Sequence, residues 1–323
     1  MGSYIHSIEY YLPEKSVDNI KLSEEFPEWE ADKVLEKVGI RNRHIVSKNE
    51  TALDLACKAS EKVLENFDRV LVDFVLLCTQ SPDYYLPTGA CILQDRLKLR
   101  KNIGAFDYNL GCSGYIYGLA LAKSLIKSRM ASNVLLIMAE TYSRHIHPSD
   151  KSNRSIFGDG AAATLVLSSP QNKVHEFILG TDGSGKDNLI VRKGGMRFLD
   201  SNNEELVENY LYMNGPEIFN FTLDVVPELV KKILQKHNMS LNQIDFCIFH
   251  QANKFMLEYL RKKIKIDPVK FYNNILETGN TVSATIPIAL KDCLDNRIVK
   301  SGNKVLLVGF GVGYSWGATI ITI

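Results

Sequence analysis

Short apolar runs alternate with longer amphipathic stretches along the chain. The run over 134–139 is strand-sized and entirely apolar, whereas neighbouring stretches repeat their apolar positions at helical spacing. Strands that alternate with helices are typical of α/β proteins. The pattern therefore predicts an α/β fold, and no apolar run approaches the roughly 20 residues of a membrane-spanning helix.

The same succession of elements occurs twice. Three segments of the first half match three of the second at offsets of 170, 172 and 171 residues: 53–64 with 223–234, 72–77 with 244–249, and 133–138 with 304–309. Three matches in order at nearly one offset predict a duplicated α/β unit, with halves at 1–170 and 171–323. The stretch 192–208 lacks periodicity and is rich in turn formers, which predicts a long surface excursion.

Charge and cysteine usage narrow the classes of function. Lys and Arg number 38 and Asp and Glu number 37, so the formal net charge is +1. A nearly neutral chain argues against nucleic acid or an anionic membrane as partner. The six cysteines include no CxxC pair, and residues 1–6 lack the basic flank and apolar core of a signal peptide. We therefore expect reduced thiols and a cytoplasmic location.

Cys112 follows a glycine and opens a run of small and apolar residues that predicts a buried helix over 113–126. A thiol in the first turn of a helix faces unpaired N–H groups and the positive end of the helix dipole, which favour a thiolate. Cys112 is therefore a candidate nucleophile. Most free cysteines are small buried hydrophobic residues instead, and position alone leaves both interpretations open.

Two further polar residues follow predicted strands or turns. His250 directly follows the strand predicted over 246–249, at the carboxyl end where α/β enzymes bind ligands, and is a candidate general base, oxyanion donor or structural histidine. Asn280 lies in a Gly-Asn turn before a predicted helix, where it either caps the helix or points its amide at the same crevice. His145 and His147 have no third ligand nearby in sequence, so we predict no metal site.

The glycine-rich segment 309–317 superficially matches a dinucleotide-binding loop. That motif requires a helix after the glycines, but the pattern over 318–323 predicts a strand. We therefore reject NAD binding. A glycine-rich turn of this kind instead offers backbone N–H groups to an oxyanion.

Taken together, these segments resemble the β-ketoacyl-acyl-carrier-protein synthase III family of the thiolase superfamily, over nearly the whole chain. The likeness rests on Tyr-Leu-Pro at 11–13, Gly-Ile-Arg at 39–41 with His44, Asn-Leu-Gly-Cys-Ser-Gly at 109–114, Phe-Gly-Asp-Gly-Ala at 157–161, His-Gln-Ala-Asn at 250–253, Gly-Asn-Thr at 279–281 and the terminal segment 309–317. The resemblance implies a thiolase-like fold, with duplicated α/β halves and mixed five-stranded sheets in an αβαβα arrangement.

The resemblance also implies a reaction. Cys112 takes an acyl group from an acyl-CoA or acyl-carrier-protein primer, and His250 and Asn280 promote decarboxylation of malonyl-acyl-carrier protein. The carbanion attacks the acyl-cysteine to give a 3-oxoacyl thioester, as in fatty acid biosynthesis. A covalent intermediate separates the two steps, and the enolate requires fixed donors. The backbone N–H groups of Cys112 and Val312 would bind the acyl oxyanion, and no cofactor is implied.

Further site residues follow from the same resemblance. Phe157, Phe219 and Asn253 are expected to line the acyl pocket, and Leu86 is expected to reach into the pocket of the partner in a homodimer. The helix after His250 carries a local basic cluster that either docks an acidic carrier protein or is simply a solvated face: Lys254, Arg261, Lys262, Lys263 and Lys265.

Two departures from the family pattern concern the primer. Lys33 stands where acetyl-CoA-using members carry a Trp that stacks on adenine, with Trp29 nearby, and Lys151 stands where an Arg is usual. We therefore expect a primer carried mainly by acyl-carrier protein. Leu86 is smaller than the aromatic residue often found at its position, so a primer longer than acetyl is expected.

Two other classes of function compete with condensation. An acyltransferase on the same fold would pass the acyl group to an alcohol or amine without decarboxylation, and the intact His250–Asn280 pair argues against it. A non-catalytic acyl-binding or scaffold protein would be expected to lack the nucleophile. Labelling of Cys112 by an acyl thioester excludes the second, and malonyl-dependent CO2 release separates the first from a condensing enzyme.

Overall fold

The computed structural model describes residues 1–198 and 209–323. The strands are β1 Gly2–Tyr11, β2 Ser16–Asp18, β3 Asn42–His44, β4 Phe74–Cys78, β5 Gly104–Tyr108, β6 Asn133–Glu140, β7 Gly160–Ser169, β8 Val174–Thr181, β9 Leu189–Val191, β10 Leu211–Met213, β11 Phe246–Phe249, β12 Phe271–Tyr272, β13 Lys304–Gly311 and β14 Ser315–Thr322. The helices are α1 Asn19–Glu25, α2 Ala31–Val38, α3 Ala52–Val63, α4 Gly89–Arg96, α5 Gly114–Lys127, α6 Lys151–Arg154, α7 Gly215–Lys236, α8 Lys254–Ile264, α9 Ile275–Thr278 and α10 Thr285–Asp295. Of the surface excursion predicted at 192–208, residues 199–208 lie outside the described part.

Two five-stranded sheets organise the chain, in the orders β1-β7-β6-β4-β5 and β8-β14-β13-β11-β12. In both sheets the first three strands pair antiparallel and the last three pair parallel. The two orders correspond strand by strand, which confirms the predicted mixed sheets. The proposed division of the chain at residue 170 falls in the turn between β7 and β8.

The buried side chains define five layers. A central cluster contains Leu119 of α5 and Leu290 of α10 together with inward-facing residues of both sheets, so these two helices lie between the sheets. Residues of α3 and α4 cover the outer face of the first sheet, and those of α7 and α8 cover the outer face of the second. This arrangement confirms the predicted αβαβα order.

Small residues allow the central helix α5 to approach the first sheet. A Cβ added at Gly118 would lie 2.2 Å from Tyr108 Oη and 2.6 Å from Leu136 Cδ1. Interiors are packed at crystal-like density, so a side chain there would force α5 away from the sheet. The N-terminus of α5, which follows Cys112, is thereby held against the sheet. No helix within the described ranges has both the length and the apolar character to cross a bilayer.

Candidate active site

Three residues that the sequence singled out meet at one narrow cavity of about 60 Å³: Cys112, His250 and Asn280. Cys112 lies between β5 and α5, His250 directly follows β11, and Asn280 lies between α9 and α10. Their exposed fractions are 6%, 3% and 4%, so all three are buried. The structure thus brings a thiol, an imidazole and a carboxamide from both halves of the chain to one buried site.

Glycines on β13 allow the segment at Cys112 and Ser113 to approach the second sheet. A Cβ added at Gly311 would lie 2.8 Å from Cys112 Cβ and 3.1 Å from its Sγ. A Cβ at Gly309 would lie 2.9 Å from Ser113 Cα. The segment 309–317 is therefore a strand end and hairpin on which Cys112 packs, and not a nucleotide-binding loop.

The environment of Cys112 corrects the expectation that this thiol readily ionises. Ser113 is the N-cap and α5 begins at Gly114, so Cys112 precedes the cap rather than standing in the first turn. Burial raises the pKa of the Cys112 thiol well above its usual value, and Glu140 nearby raises it further. Burial therefore favours the neutral thiol, so the predicted attack by Cys112 needs a base to accept its proton.

His250 is fixed by its neighbours on three sides. Its backbone N–H donates to the carbonyl of Val308 on β13, its Nδ1 lies 2.8 Å from Thr285 Oγ1, and its ring stands edge-on to Phe310 with centroids 5.5 Å apart. Burial lowers the pKa of His250 to about 3. The imidazole is therefore neutral at physiological pH, and its Nε2 remains for chemistry in the cavity.

Asn280 has a defined amide orientation. The backbone N–H of Val282 donates to Asn280 Oδ1 at 2.9 Å, so the oxygen is occupied. Its Nδ2 makes one long bond of 3.4 Å to the carbonyl of Ala252, the second residue after His250. An amide nitrogen has two protons, which leaves one for a ligand beside His250.

The remaining oxyanion donor predicted from the sequence, Val312, directly follows Gly311. Its carbonyl accepts a hydrogen bond from Ser315 Oγ at 2.8 Å, which pins the turn between β13 and β14. A Cβ added at Gly111 would lie 2.6 Å from Val312 Cγ1, so this turn packs on the residue before Cys112. The roles of the Cys112 and Val312 N–H groups remain predictions.

The cavity wall is mostly apolar and includes Phe157 and Asn253, as expected. Phe219 does not line it: the neighbouring residue Ile218 does, and the Phe219 ring instead stacks on Phe255 at 5.4 Å. Successive residues of a helix point about 100° apart, so Ile218 and Phe219 of α7 face different sides. The expectation for Phe219 is therefore corrected to Ile218, joined by Leu189 and Met213.

Leu86 is highly exposed, with 81% of its surface accessible. The two residues before it, Tyr84 and Tyr85, are 63% and 67% exposed. These three consecutive side chains precede α4, beside the edge strand β5. Leu86 does not line the Cys112 cavity of its own chain. Its predicted role in a partner's pocket stays a prediction.

The five basic residues expected to form one patch on α8 point to different sides. Arg261 is paired with Glu258 and donates to the carbonyl of Ile266, and Lys263 Nζ donates to the carbonyl of Leu223 on α7. Lys263 lies nine residues after Lys254, about half a turn around the helix. Lys265 ends the helix in a left-handed conformation.

Lys254 and Lys262 instead share a surface groove of about 480 Å³ with Lys33 and Lys37 of α2. The same groove is lined by the acidic side chains Glu36 and Glu258 and by the rings of Phe255 and Tyr259. The single cluster on α8 is therefore corrected to a basic groove, defined by Lys33, Lys37, Lys254 and Lys262, because two helices rather than one supply the charges.

A second cavity of about 300 Å³ shares lining residues with both this groove and the Cys112 cavity. Lys33 and Lys37 line both the groove and the second cavity, and Ile156 lines both the second cavity and the Cys112 cavity. Trp29 also lines the second cavity, and Lys151 Nζ lies 5.5 Å from the centroid of its ring. An aromatic ring is thus present beside Lys33, so the substitution at that position does not by itself exclude CoA.

Two polar residues at the site escaped the sequence analysis. Glu140 ends β6, is fully buried, and accepts hydrogen bonds from Ser283 Oγ at 2.8 Å and from the backbone N–H of Gln80 at 3.0 Å. Burial raises the pKa of Glu140 to about 8. A carboxyl group directly after an apolar strand was a signal for Glu140, whereas nothing in the sequence distinguished Thr285, the neighbour of His250.

Among residues 1–198 and 209–323, no three His, Cys, Asp or Glu side chains group as metal ligands.

The duplicated five-layer fold, with a buried thiol at the junction of its halves, is that of a thiolase-like acyltransferase. Two family models for 3-oxoacyl-[acyl-carrier-protein (ACP)] synthase III match residues 106–183 and, for the C-terminal region, 234–323. A β-ketoacyl-[acyl-carrier-protein] synthase III of Clostridium perfringens is 38% identical over 314 residues, covering 96% of each chain. The chain belongs to the β-ketoacyl-[acyl-carrier-protein] synthase III family.

Solved structures agree with this assignment. A crystal structure of a 3-oxoacyl-(acyl-carrier-protein) synthase III superposes with a TM-score of 0.98 at 43% identity, over 100% of both chains. A 3-oxoacyl-(acyl carrier protein) synthase from Burkholderia xenovorans LB400 gives a TM-score of 0.94 at 36% identity, over 100% of this chain and 94% of the other. These similarities confirm the family that the sequence motifs indicated.

Proposed function

We propose that Cys112, His250 and Asn280 carry out the decarboxylating condensation of an acyl primer with malonyl-acyl-carrier protein, giving a 3-oxoacyl-acyl-carrier protein. The observation that carries this assignment is their meeting at one narrow, largely apolar cavity. A thiol provides the covalent site, and the imidazole and carboxamide face the same space. Acyl chains suit the apolar wall formed by Phe157, Ile218 and their neighbours.

In the first half-reaction, Cys112 Sγ attacks the carbonyl carbon of the primer thioester. Because the buried thiol is protonated, its proton must move to a base as the S–C bond forms, and the neutral imidazole of His250 is the base in the cavity. The tetrahedral oxyanion is held by the predicted N–H groups of Cys112 and Val312. Collapse breaks the C–S bond to the primer's carrier, whose thiolate takes from His250 the proton that came from Cys112, and leaves acyl-Cys112.

In the second half-reaction, the malonyl thioester places its carbonyl oxygen against Asn280 Nδ2 and against the Nε2–H of His250, in the tautomer that is protonated at Nε2. The bond between the α-carbon and the carboxylate carbon breaks, and CO2 leaves. The electron pair of that bond forms an enolate, whose oxygen these donors stabilise. The enolate carbon then attacks the carbonyl carbon of acyl-Cys112 and the C–S bond breaks. The 3-oxoacyl thioester is released, and the Cys112 thiolate takes up the one proton that the overall reaction consumes. Exclusion of water from the buried site protects the acyl-cysteine from hydrolysis.

The basic groove is the proposed landing site for the acidic carrier protein. We infer that a phosphopantetheine arm reaches Cys112 past Trp29 and Ile156, because the second cavity, which both residues line, shares residues with the groove and with the Cys112 cavity. Electrostatic complementarity of this kind speeds encounter more than it deepens affinity. Reversal of Lys254 and Lys262 to Glu should therefore slow reaction with carrier-bound substrates at low salt, while Lys263→Glu, which faces α7, serves as the matched control.

Primer preference is proposed to favour carrier-bound chains longer than acetyl. The exposed Leu86 and the groove support this proposal, whereas the Trp29 ring beside Lys151 favours CoA as a second carrier. Turnover with CoA-bound and carrier-bound primers of two to eight carbons, at two salt concentrations, tests it. A clear preference for acetyl-CoA, together with turnover of carrier-bound primers that does not depend on salt, would contradict this proposal.

A homodimer is proposed as the active form. The half-buried edge strand β5 and the exposed segment Tyr84–Leu86 support this assembly, because unpaired edges and exposed apolar side chains favour association. Sedimentation at micromolar concentration tests it. A fully active monomer would exclude any contribution of Leu86 to a partner's pocket.

One experiment tests the function as a whole. The purified protein is incubated with a short acyl-CoA and its intact mass is measured, and malonyl-acyl-carrier protein is then added while CO2 is counted. Acylation on Cys112 followed by primer-dependent CO2 release is expected. Acylation without CO2 release, and with transfer to an added alcohol or amine, would instead identify a simple acyltransferase.

A further inference from the structure

Tyr142 contributes an aromatic ring to the wall of the cavity that contains Cys112. It lies two residues after the end of β6 and is 4% exposed. Together with Cys112, Leu189 and Leu211 it forms a buried apolar cluster that is distinct from the cores between and outside the sheets. The tyrosine therefore bounds the apolar space next to the nucleophile.

The Tyr142 ring is held at three points. Its hydroxyl donates to Gln80 Oε1 at 2.5 Å, its ring centroid lies 5.2 Å from that of Phe157, and it stands edge-on to His145 at 5.6 Å. The Gln80 side chain is itself fixed, because its Nε2 donates to Asn109 Oδ1 at 3.0 Å. A buried ring held in this way cannot turn aside without losing a hydrogen bond.

The contacts of Tyr142 place it away from the proposed entrance. Ile156 lines both the Cys112 cavity and the second cavity, past which the thioester arm is proposed to arrive, whereas the residues described around the second cavity do not include Tyr142. The Tyr142 hydroxyl instead reaches Gln80, which packs on Gly111: a Cβ added at that glycine would lie 2.7 Å from Gln80 Oε1. An acyl chain on Cys112 that extends away from Ile156 therefore runs toward the Tyr142 ring.

The volume of the cavity limits what fits between Cys112 and this ring. The cavity holds about 60 Å³. A cavity of about 150 Å³ is enough for benzene, which is roughly 25 Å³ for each carbon atom. The available space therefore corresponds to roughly two carbon atoms beyond the thioester carbonyl. Because protein interiors are packed at crystal-like density, the surrounding side chains resist enlargement of this space.

We infer that Tyr142 is a specificity-determining residue whose ring ends the acyl pocket and limits the primer to about four carbons. This inference rests on the proposed function and narrows it, since the primer is longer than acetyl but still short. The chemical class is a short saturated acyl thioester, because Phe157, Leu189 and the face of the Tyr142 ring offer apolar surface to the chain.

The experiment measures acylation of Cys112 by saturated acyl-CoA primers of two to eight carbons, using intact mass after quenching at successive times. We expect the fastest acylation with three or four carbons and a fall of about tenfold or more at eight, the order for one methylene that a pocket does not accommodate. Acylation by the eight-carbon primer as fast as by the four-carbon primer would overturn the inference while leaving the proposed function intact. Absence of acyl-Cys112 with every primer would overturn the proposed function itself.

Substitutions of the ring should move the limit. Tyr142→Leu removes the ring, so the ratio of eight-carbon to four-carbon acylation rates should rise about tenfold or more. Tyr142→Phe keeps the ring between Phe157 and His145, so the ratio should stay within about threefold of wild type, as for a volume-conserving change. Tyr212→Leu is the matched control, because Tyr212 is 53% exposed on β10 and should leave the ratio unchanged.

The ratio separates a length limit from general damage to the site. Damage lowers acylation by primers of every length, whereas removal of a stop favours the longer ones. An unchanged ratio in Tyr142→Leu, with native circular dichroism, would overturn the inference. If Tyr142→Leu does not fold, the wild-type rates decide, together with Tyr142→Phe, in which a ratio raised tenfold or more would contradict the ring as the limit.

Discussion

The two halves of the molecule share one strand order but end their corresponding strands in different chemistry. The segment after β5 leads through Cys112 into α5, and the corresponding segment after β12 leads through Asn280 into α10. The segment after β11 begins with His250, whereas the one after β4 begins with Thr79. The duplication thus gives corresponding strand ends in the two halves. The first half contributes Cys112 to the cavity, and the second half contributes His250 and Asn280.

The central hairpins differ even more. Strands β13 and β14 are joined by a three-residue turn at 312–314, and the glycines of β13 let Cys112 approach closely. Strands β6 and β7 are joined by residues 141–159, which include α6 and the cavity residue Phe157. Strand β6 ends at Glu140, which has a buried carboxyl group, whereas the corresponding strand β13 ends at Gly311. The β13–β14 hairpin therefore leaves space for Cys112 to pack closely, whereas the connection between β6 and β7 supplies Phe157 to the cavity wall.

The largest effect is expected at the nucleophile. Cys112→Ser should abolish acyl-enzyme formation because a serine hydroxyl in this site lacks the reactivity of a thiol, while the fold stays intact. Intact mass after incubation with an acyl thioester measures it. Cys91→Ser is the control, since Cys91 is exposed and should react with general alkylating agents without contributing to acylation. Acylation that persists in Cys112→Ser would refute the assignment.

The second test addresses the half that supplies the donors. His250→Ala and Asn280→Ala should each lower condensation by roughly 10²–10³, the usual size for one oxyanion donor. The double variant should lose less than the product of the two, because both groups serve one carbonyl oxygen. Single-turnover condensation of preformed acyl-enzyme measures the losses. A near wild-type rate for Asn280→Ala would show that His250 acts alone.

The third test concerns the tight hairpin. Gly311→Ala puts a Cβ 2.8 Å from that of Cys112, so we expect displacement of the nucleophile, slower acylation and a loss of about 1–3 kcal/mol in the free energy of unfolding, typical of overpacking. Gly183→Ala is the matched control because a Cβ there meets nothing within 4 Å. Urea unfolding and acylation rates measure both variants. Equal behaviour of the two would mean that the close approach is unimportant.

The smallest effect on turnover is expected at Glu140. Its pKa is raised to about 8 in the folded protein, against about 4.3 in an unfolded chain. Between these values the folded state holds a proton that the unfolded state has released, so this group lowers the free energy of unfolding as pH rises from about 5 to 8. Glu140→Gln cannot titrate and should remove that slope.

The glutamine also fits the contacts of Glu140. Its oxygen can accept from the Gln80 N–H while its NH2 donates to Ser283 Oγ, so activity should change only a few-fold. Urea unfolding at pH 5.5, 7 and 8.5 measures the slope. Identical slopes in the variant and the wild type would place the ionisation of Glu140 outside this range.

Local patterns along the chain were enough to predict the α/β class, the duplication and the strand ends that bear Cys112 and His250, because periodicity and strand-terminal polar residues are local properties. The sequence also led to the family, which the comparisons confirm. It overestimated the ease of ionisation of Cys112, because the nearness of a helix start is visible in sequence whereas burial beside Glu140 is not. The side of α7 that faces the cavity was equally hidden, which is why Phe219 was expected in place of Ile218.

The features that join distant segments follow from the packing of the folded chain and could not be predicted from local patterns. The basic groove combines Lys33 and Lys37 of α2 with Lys254 and Lys262 of α8, more than 200 residues apart along the chain. The contact of His250 with Thr285 depends on α10 being packed between the sheets. Such contacts are set by layer packing and by the direction of each side chain, and periodicity along one segment carries no information about what another segment places opposite it.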